Sequence, residues 1–197
     1  MNEKIKKYYS KVLWVALIIF VIRCFIAIPK SLYDLYGCMG ETISITAIFM
    51  YCYNKWLWRY IPIEKTPVLY KEYRGVFKSS YDDIEHEAIV QIKQTLLTIQ
   101  VIVTTGESKS KSISCSIEEV LGENQLTYCY LNTPNAGVRS RSEVHYGTAM
   151  LCVDNPIQLK GQYFTDRKTT GDIVFNAEIK PKKTSKQTTL SDTAKAS

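Results

Sequence analysis

The stretch LKGQYFTDRKTTGDIVF, residues 159–175, carries the pattern that decides the fold. Two short runs of alternating apolar and polar residues, 162–165 and 172–179, flank a polar loop. Alternation with a period of two predicts strands with one buried face, and the short connection predicts that they pair as an antiparallel hairpin. The loop between them holds Arg167, Lys168, Thr169 and Thr170.

The tip of this hairpin has a structural explanation and a functional one. Gly171 is predicted to supply the positive φ of a tight turn, and Asp166 to bond the backbone that follows it. In the functional interpretation, the same loop presents a cation and two hydroxyls to a phosphate. Which interpretation holds depends on what the rest of the chain builds around the loop.

Strand-forming sequence extends through the body of the chain, residues 66–179, where β-branched and aromatic residues dominate between predicted turns. Eight short strands with tight connections predict a small up-and-down antiparallel β-barrel, because closure removes the two exposed edges of a sheet. A β-sandwich is the alternative, and residues 80–87 are either a loop or a short helical turn. The predicted strands are 68–79, 88–93, 95–104, 112–119, 125–132, 143–153, 158–165 and 172–179.

Composition excludes several function classes. The body carries eleven Lys and Arg against fourteen Asp and Glu, a net charge of −3, so the basic total of +6 comes from the two ends and predicts no DNA or RNA partner. The six cysteines form no C-x-x-C pair and there are two histidines, which argues against a zinc site. No phosphate loop, carboxylate pair or Ser/His or Cys/His pairing indicates an enzyme.

Two apolar segments precede the body, and we predict a transmembrane hairpin over residues 12–61. The run at 12–28 contains one charge, Arg23, and the run at 41–61 ends in Trp and Tyr residues beside Lys55 and Arg59, which is typical of a membrane interface. Arg23 either extends to the interface or makes a polar contact between hairpins of neighbouring chains.

Charge distribution sets the expected topology. Lysines crowd the basic N-terminus, residues 1–11, and cations follow the second apolar run, so the positive-inside rule places both termini and the body in the cytoplasm. The body is predicted as one domain over residues 63–180. The Lys- and Thr-rich tail, 181–197, is predicted to be disordered, because it is poor in apolar residues.

Alternation along two strands suggests a binding face. Leu126, Tyr128, Tyr130 and Asn132 share one face of the run QLTYCYLN at 125–132, and Tyr163 and Thr165 share a face with Arg167. Tyrosine offers a ring for stacking and a hydroxyl for bonding, which suits a base or a sugar. The alternative is a ladder of tyrosines on the barrel exterior. The polar loop at 104–112 is predicted to be a solvated tip.

The order of these parts resembles a family found in CBASS antiphage defence operons, the SMODS-associating effectors with two transmembrane helices and a β-strand-rich domain. After the two apolar runs, the resemblance is carried by YRGVF at 73–77, HYGTAML at 145–151 and, most specifically, the stretch at 159–175. It covers residues 11–179. Phe77 stands where the family pattern leads us to expect tryptophan.

The resemblance implies a cytoplasmic barrel that binds a cyclic dinucleotide made by a cognate nucleotidyltransferase. Binding would drive homo-oligomerisation, and the helices would then disrupt the inner membrane and kill the cell, with no cofactor involved. Arg167 and Lys168 would bind a phosphodiester, with the Arg167 guanidinium supplying paired donors. The alternative is an anchored, lipocalin-like carrier of an apolar molecule with its tyrosines facing outward. Besides Arg167 and Lys168, the expected contacts of the cyclic dinucleotide are Thr165, Thr169, Thr170, Tyr128, Tyr130, Asn132 and Tyr163.

Overall fold

The computed structural model describes residues 3–62, 64–80, 82 and 84–179. Within this part of the chain, two N-terminal α-helices precede a closed antiparallel barrel of eight strands. The predicted fold class is confirmed. The β-sandwich alternative is wrong, because the first strand pairs with the last and closes the sheet. The tail at 181–197, predicted to be disordered, lies outside the described residues.

Helices α1, Glu3–Ile26, and α2, Leu32–Lys55, are each long and apolar enough to cross a membrane. α1 continues without a break from the basic N-terminus into the apolar run. α2 begins at Leu32 rather than at residue 41, because Ser31 caps it. The Ser31 hydroxyl accepts a hydrogen bond from the Asp34 backbone at 3.1 Å, and the Asp34 carboxylate accepts one from the Ser31 backbone at 3.1 Å.

Arg23 has a partner that neither sequence interpretation included. Its guanidinium forms an ion pair with Glu41, on α2 of the same chain, through Nε and through Nη2, the second contact at 3.4 Å. The Glu41 side chain is exposed, and that of Arg23 is half-buried. The two helices are therefore joined near the α1–α2 connection by opposite charges.

The barrel follows the chain order without a crossover, so each strand pairs with its sequence neighbours. The strands are β1 Glu72–Ser79, β2 Glu85–Gln94, β3 Ile99–Thr104, β4 Ser108–Val120, β5 Glu123–Pro134, β6 His145–Cys152, β7 Gln158–Thr165 and β8 Thr170–Ala177. β4 begins at Ser108. The prediction of a solvated tip over 104–112 is therefore wrong for 108–112, which belong to a strand. Pairing of Ser110 with Asn132 continues the ladder, and Ser110 is buried.

The left-handed residue of the β7–β8 turn is not the one that the sequence predicted. Lys168 has φ 64°, whereas Gly171 lies in β8. A Cβ on Gly171 would lie 2.0 Å from the Lys78 carbonyl oxygen, so this glycine permits close approach to β1 rather than a turn. The Asp166 carboxylate accepts a hydrogen bond from the Tyr146 backbone on β6 at 3.1 Å, not from its own loop.

The end of the barrel beside the helices is filled and bonded to the hairpin. Trp58 is 1% exposed between the helices and the barrel. The Asn54 carbonyl accepts a hydrogen bond from the Leu96 backbone at 3.0 Å, and Arg59 donates one to the Gln94 carbonyl at 2.8 Å. These contacts hold the β2–β3 turn against the base of α2. Any opening of the barrel must therefore lie at the far end.

Gly161 offers a test of the barrel register. A Cβ there would lie 1.9 Å from the Met150 carbonyl oxygen, so β6 and β7 would have to separate. We expect Gly161→Ala to lower the free energy of unfolding by about 1–3 kcal/mol, measured by urea denaturation. Gly137→Ala is the matched control, because nothing lies within 4 Å of its Cβ position. Equal effects of the two substitutions would contradict the register.

Candidate ligand-binding cavity

The barrel encloses a cavity of about 780 Å³ that opens at the end away from the helices. Its rim includes residues from the four loops at that end, β1–β2, β3–β4, β5–β6 and β7–β8. This volume lies within the range of about 300–1,000 Å³ that small-molecule sites occupy. The apolar floor includes Ala149, Ile173 and Phe175. The cavity is thus a cup with a closed base beside the helical hairpin.

Three tyrosines form the wall of the cup. Tyr128, Tyr130 and Tyr163 are 3%, 8% and 8% exposed, and all three line the cavity. The exterior tyrosine ladder is therefore wrong, and so is the outward-facing arrangement that the carrier hypothesis required. The rings of Tyr128 and Tyr130 lie 5.9 Å apart, and that of Tyr163 packs edge-on against Phe77 at 5.8 Å. Such a panel offers flat surfaces for stacking.

The phenol groups stay neutral at cellular pH. Burial raises the pKa of Tyr128, Tyr130 and Tyr163, while Arg167 acts to lower the pKa of Tyr130. Among the described residues, the hydroxyls of Tyr128 and Tyr130 have no hydrogen-bond partner, and both are free to bond a guest. Each can donate as well as accept.

Alkaline titration should reveal this burial. Tyr73, at the closed end, donates to the Pro156 carbonyl at 2.8 Å, and burial raises its pKa to about 12. Since tyrosine in an unfolded chain titrates near pH 10, the raised values stabilise the fold below about pH 10, and that stability is lost as the pH rises toward about 12. We expect absorbance at 295 nm to show part of the tyrosine signal titrating well above pH 10, together with loss of the fold. A single step near pH 10 with the fold intact would contradict this.

Hydroxyl and amide groups surround the mouth. Asn132 donates through Nδ2 to the hydroxyls of Ser108 and Ser110 at 3.0 and 2.9 Å. Its Oδ1 is buried without a partner in the described part of the chain. Thr165 and Thr169 bond each other through their hydroxyls at 2.6 Å. The mouth therefore offers several groups that can turn toward a polar ligand.

Two arginines line the cavity, and they differ in their partners. Arg141 forms an ion pair with Glu107, whereas Arg167 has no ion-pair partner within the described ranges. Asp82, an acidic residue at the rim, is bonded to His86 at 2.8 Å. Arg167 is thus the cation whose charge is least compensated at this opening.

The structure brings together most of the predicted site residues. Lys168 and Thr170 lie outside the cavity lining: Lys168 is exposed at the loop tip, and the Thr170 backbone bonds Ser80 at 3.0 Å as β8 begins. The predicted residues that line the cavity are Tyr128, Tyr130, Asn132, Tyr163, Thr165, Arg167 and Thr169.

Sequence reasoning missed part of the lining. Phe77 and Ser79 on β1 face inward, and their alternation in the run YRGVFKS could have indicated this. His145 is buried and bonds the Glu143 carbonyl at 3.0 Å, as a packed strand histidine does, and it also lines the cavity. Arg141 belongs to the long β5–β6 connection, where no periodic pattern exists to place it.

A possible metal grouping lies elsewhere. In the described residues, the side chains of Glu123, Cys152 and Asp154 place ligand atoms within 4.8 Å of one another, at the closed end of the barrel. Asp154 already accepts hydrogen bonds from the backbone and the side chain of Asn124 at 3.0 and 2.8 Å. None of the three residues lines the cavity. The cup therefore relies on aromatic, hydroxyl and guanidinium groups.

Comparison with known proteins agrees with this geometry. The family model described as Cap15, cyclic dinucleotide receptor domain, matches residues 64–177. A curated relative, CD-NTase-associated protein 15 of Staphylococcus schleiferi, is 26% identical over 177 residues, and the match covers 88% of this chain and 97% of the relative. The matched segment spans all eight strands and the cavity, and it confirms the resemblance found in the sequence. The chain belongs to the Cap15 family and carries its cyclic dinucleotide receptor domain.

Proposed function

We propose that the barrel cavity binds one cyclic dinucleotide and that the chain acts as a membrane-disrupting effector in CBASS antiphage defence. The observation that carries the proposal is the enclosed, tyrosine-lined cup that opens beside the uncompensated Arg167. A cyclic dinucleotide combines flat bases with two phosphodiesters. The cup offers stacking surfaces at depth and a cation at the mouth.

Each group of residues has a distinct role in this proposal. Tyr128, Tyr130 and Tyr163 stack against the bases and bond them or the sugars through their hydroxyls. Arg167 binds a phosphodiester through paired N–H donors, which is a geometry that lysine cannot supply. Thr165 and Thr169 exchange their mutual hydrogen bond for bonds to the phosphate or sugar. The Asn132 Oδ1, which has no partner among the described residues, accepts a hydrogen bond from the ligand.

The source of the ligand and the topology follow from two further observations. The relative's name associates that protein with a nucleotidyltransferase, so we infer that a cognate enzyme makes the ligand for this chain. Lys and Arg residues precede α1's apolar run and follow α2. By the positive-inside rule, this distribution favours an inner-membrane protein with both termini and the barrel in the cytoplasm. In this topology, the mouth of the cup faces the cytoplasm, where the ligand is produced.

Activation requires only that the assembled state binds the ligand more tightly than the resting state does. A tenfold preference at each site is worth about 1.4 kcal/mol, so several coupled sites can shift a weak association toward a homo-oligomer. The clustered hairpins then disrupt the bilayer. The proposal involves no chemical step on the ligand.

Calorimetry on the full chain in detergent micelles, with a panel of cyclic dinucleotides, tests the proposal. We expect one ligand per chain for at least one member of the panel, and mass spectrometry should recover that ligand unchanged. Circular dichroism confirms that the barrel is folded in the same sample. A folded chain that gives no heat with any member would remove the receptor function, and a cleaved ligand would indicate an enzyme.

A further inference from the structure

For a hairpin that spans a bilayer, helix length places the ion pair between Arg23 and Glu41 inside the hydrocarbon rather than at its edge. Exposed Tyr33 and Tyr36 mark the outer end of α2, and Lys55 with Trp56 marks the cytoplasmic end. From Tyr36 to Lys55 the helix rises about 28 Å at 1.5 Å per residue, close to a hydrocarbon thickness of about 30 Å. Glu41 then lies about 8 Å below the outer interface.

Within the hairpin, only some of the hydrogen-bond donors of Arg23 have a partner. Arg23 uses Nε and one Nη to bond Glu41, and no other side chain among the described residues bonds its guanidinium. A guanidinium carries five N–H donors, and donors left without partners in hydrocarbon are costly. Charged groups inside a membrane usually face protein or water rather than lipid. The Arg23 and Glu41 side chains are nevertheless 30% and 51% exposed at the surface of the hairpin.

The helix face beside Glu41 is shaped for close contact. Gly37, Gly40 and Ser44 lie on the same exposed side of α2, and nothing lies within 4 Å of the Cβ position of either glycine. The Ser44 hydroxyl is turned inward to the Gly40 carbonyl at 2.9 Å, so it adds little bulk. Small residues let the backbones of neighbouring helices approach closely. The opposite face of α2 packs on α1 through Cys38, Thr42, Thr46 and Met50.

We propose that the face formed by Arg23, Glu41 and the small residues of α2 is where the hairpins of neighbouring copies of this chain contact each other. All copies insert with the same orientation, so Arg23 of one copy and Glu41 of the next lie at the same depth. Their charges are complementary, and the remaining donors of Arg23 gain a second carboxylate. This inference rests on the proposed function, because it assigns a surface to the self-association proposed there.

A charge-exchange experiment tests whether the pair forms between chains. Full-length chains fused to donor or acceptor fluorescent proteins are reconstituted in phosphatidylcholine vesicles at increasing protein-to-lipid ratios, without nucleotide. The Arg23→Glu chain carries two carboxylates at this depth, and the Glu41→Arg chain carries two guanidiniums. Each alone should need at least a tenfold higher protein-to-lipid ratio than the unmodified chain to reach half-maximal energy transfer. Mixing the two should restore most of the transfer.

An ion pair that acts only within one hairpin, or an Arg23 that binds lipid phosphates, gives a mixture no better than the separate chains, and this result would overturn the proposal. If either charged variant fails to insert, as judged by protease protection, the test uses the Arg23→Leu/Glu41→Leu chain instead. This chain should insert, and it should need a tenfold higher protein-to-lipid ratio than the unmodified chain. The charge-swapped Arg23→Glu/Glu41→Arg chain should associate like the unmodified chain. Unchanged association of the double leucine variant would overturn the contact.

These outcomes are independent of ligand binding. If calorimetry shows a dinucleotide bound and mixing gives no rescue, the hairpin contact is wrong and the receptor function stands. If mixing rescues association and no dinucleotide binds, the contact stands and the receptor function is wrong.

Discussion

Replacing Arg167 with alanine is expected to weaken cyclic dinucleotide binding by about 10- to 150-fold, because hydrogen bonds to charged groups contribute about 1.5–3 kcal/mol. Arg167 lines the mouth of the cup without an ion-pair partner in the described structure, so its substitution removes a ligand contact and breaks no internal bridge. Calorimetry measures the affinity, and thermal unfolding should show little change in Tm.

The neighbouring residue supplies the control. Lys168 has the same charge, lies at the same loop tip and is outside the cavity lining, so Lys168→Ala should leave the affinity within about threefold of the unmodified chain, as expected of an exposed charge. Arg167→Lys separates charge from geometry, since lysine keeps the charge and loses the paired donors. Equal losses from Arg167→Ala and Lys168→Ala would show that the loop acts through general charge, and unchanged affinity in both would leave it a turn.

Most of the fold could be predicted because its signals are local. Alternation along 125–132 and 158–165 indicated strands, and the number of strands with short connections indicated a closed barrel. β4 was predicted too short because its first residues, SKSKS, are neither apolar nor β-branched. That segment is a strand because β5 extends to Pro134 and supplies its pairing partners, among them Asn132. Such tertiary pairing is invisible to local propensity.

The site could be predicted only in part, for a similar reason. Periodicity showed that Tyr128 and Tyr130 share a face, but their direction is set by closure of the barrel, which places them inside. Counting residues in the loop could not separate Arg167 from Lys168, because the left-handed backbone at Lys168 breaks the strand alternation: Arg167 and Thr169 line the cavity, and Lys168 does not. Arg23 was recognised as unusual, yet its partner Glu41 lies on the other helix.

The position of the cup raises the question of how binding reaches the membrane, since the mouth lies at the far end of the barrel. β2 connects the two ends: His86 lines the mouth, and the Gln94 carbonyl accepts a hydrogen bond from Arg59 at the base of the hairpin. The backbone carbonyl and the side-chain Oδ1 of Asn54 accept hydrogen bonds from the Leu96 and Leu97 backbones of the β2–β3 turn, which strengthens this joint. The hairpin is thus bonded to the receptor, and a change in the barrel wall can alter its orientation.

Removal of the hairpin should therefore abolish membrane damage while leaving ligand binding intact. A chain that starts at Trp56 retains Trp58 and the barrel, and calorimetry should give an affinity within about threefold of the full chain, because the cup shares no lining residue with the helices. With the same dinucleotide, dye release from vesicles should fall to the level of vesicles without protein. Growth arrest on co-expression with a cognate nucleotidyltransferase should disappear as well.

A second altered chain separates anchoring from disruption. The same barrel on an unrelated two-helix anchor keeps its place at the membrane but loses the bonds from Asn54 and the Arg23–Glu41 face. We expect it to bind the ligand and to release no dye, since the output depends on these particular helices. Dye release by the soluble barrel would refute membrane disruption through the hairpin. Full release by the unrelated anchor would mean that clustering any two spans is sufficient, and the contacts at the base of α2 would then have no part in the output.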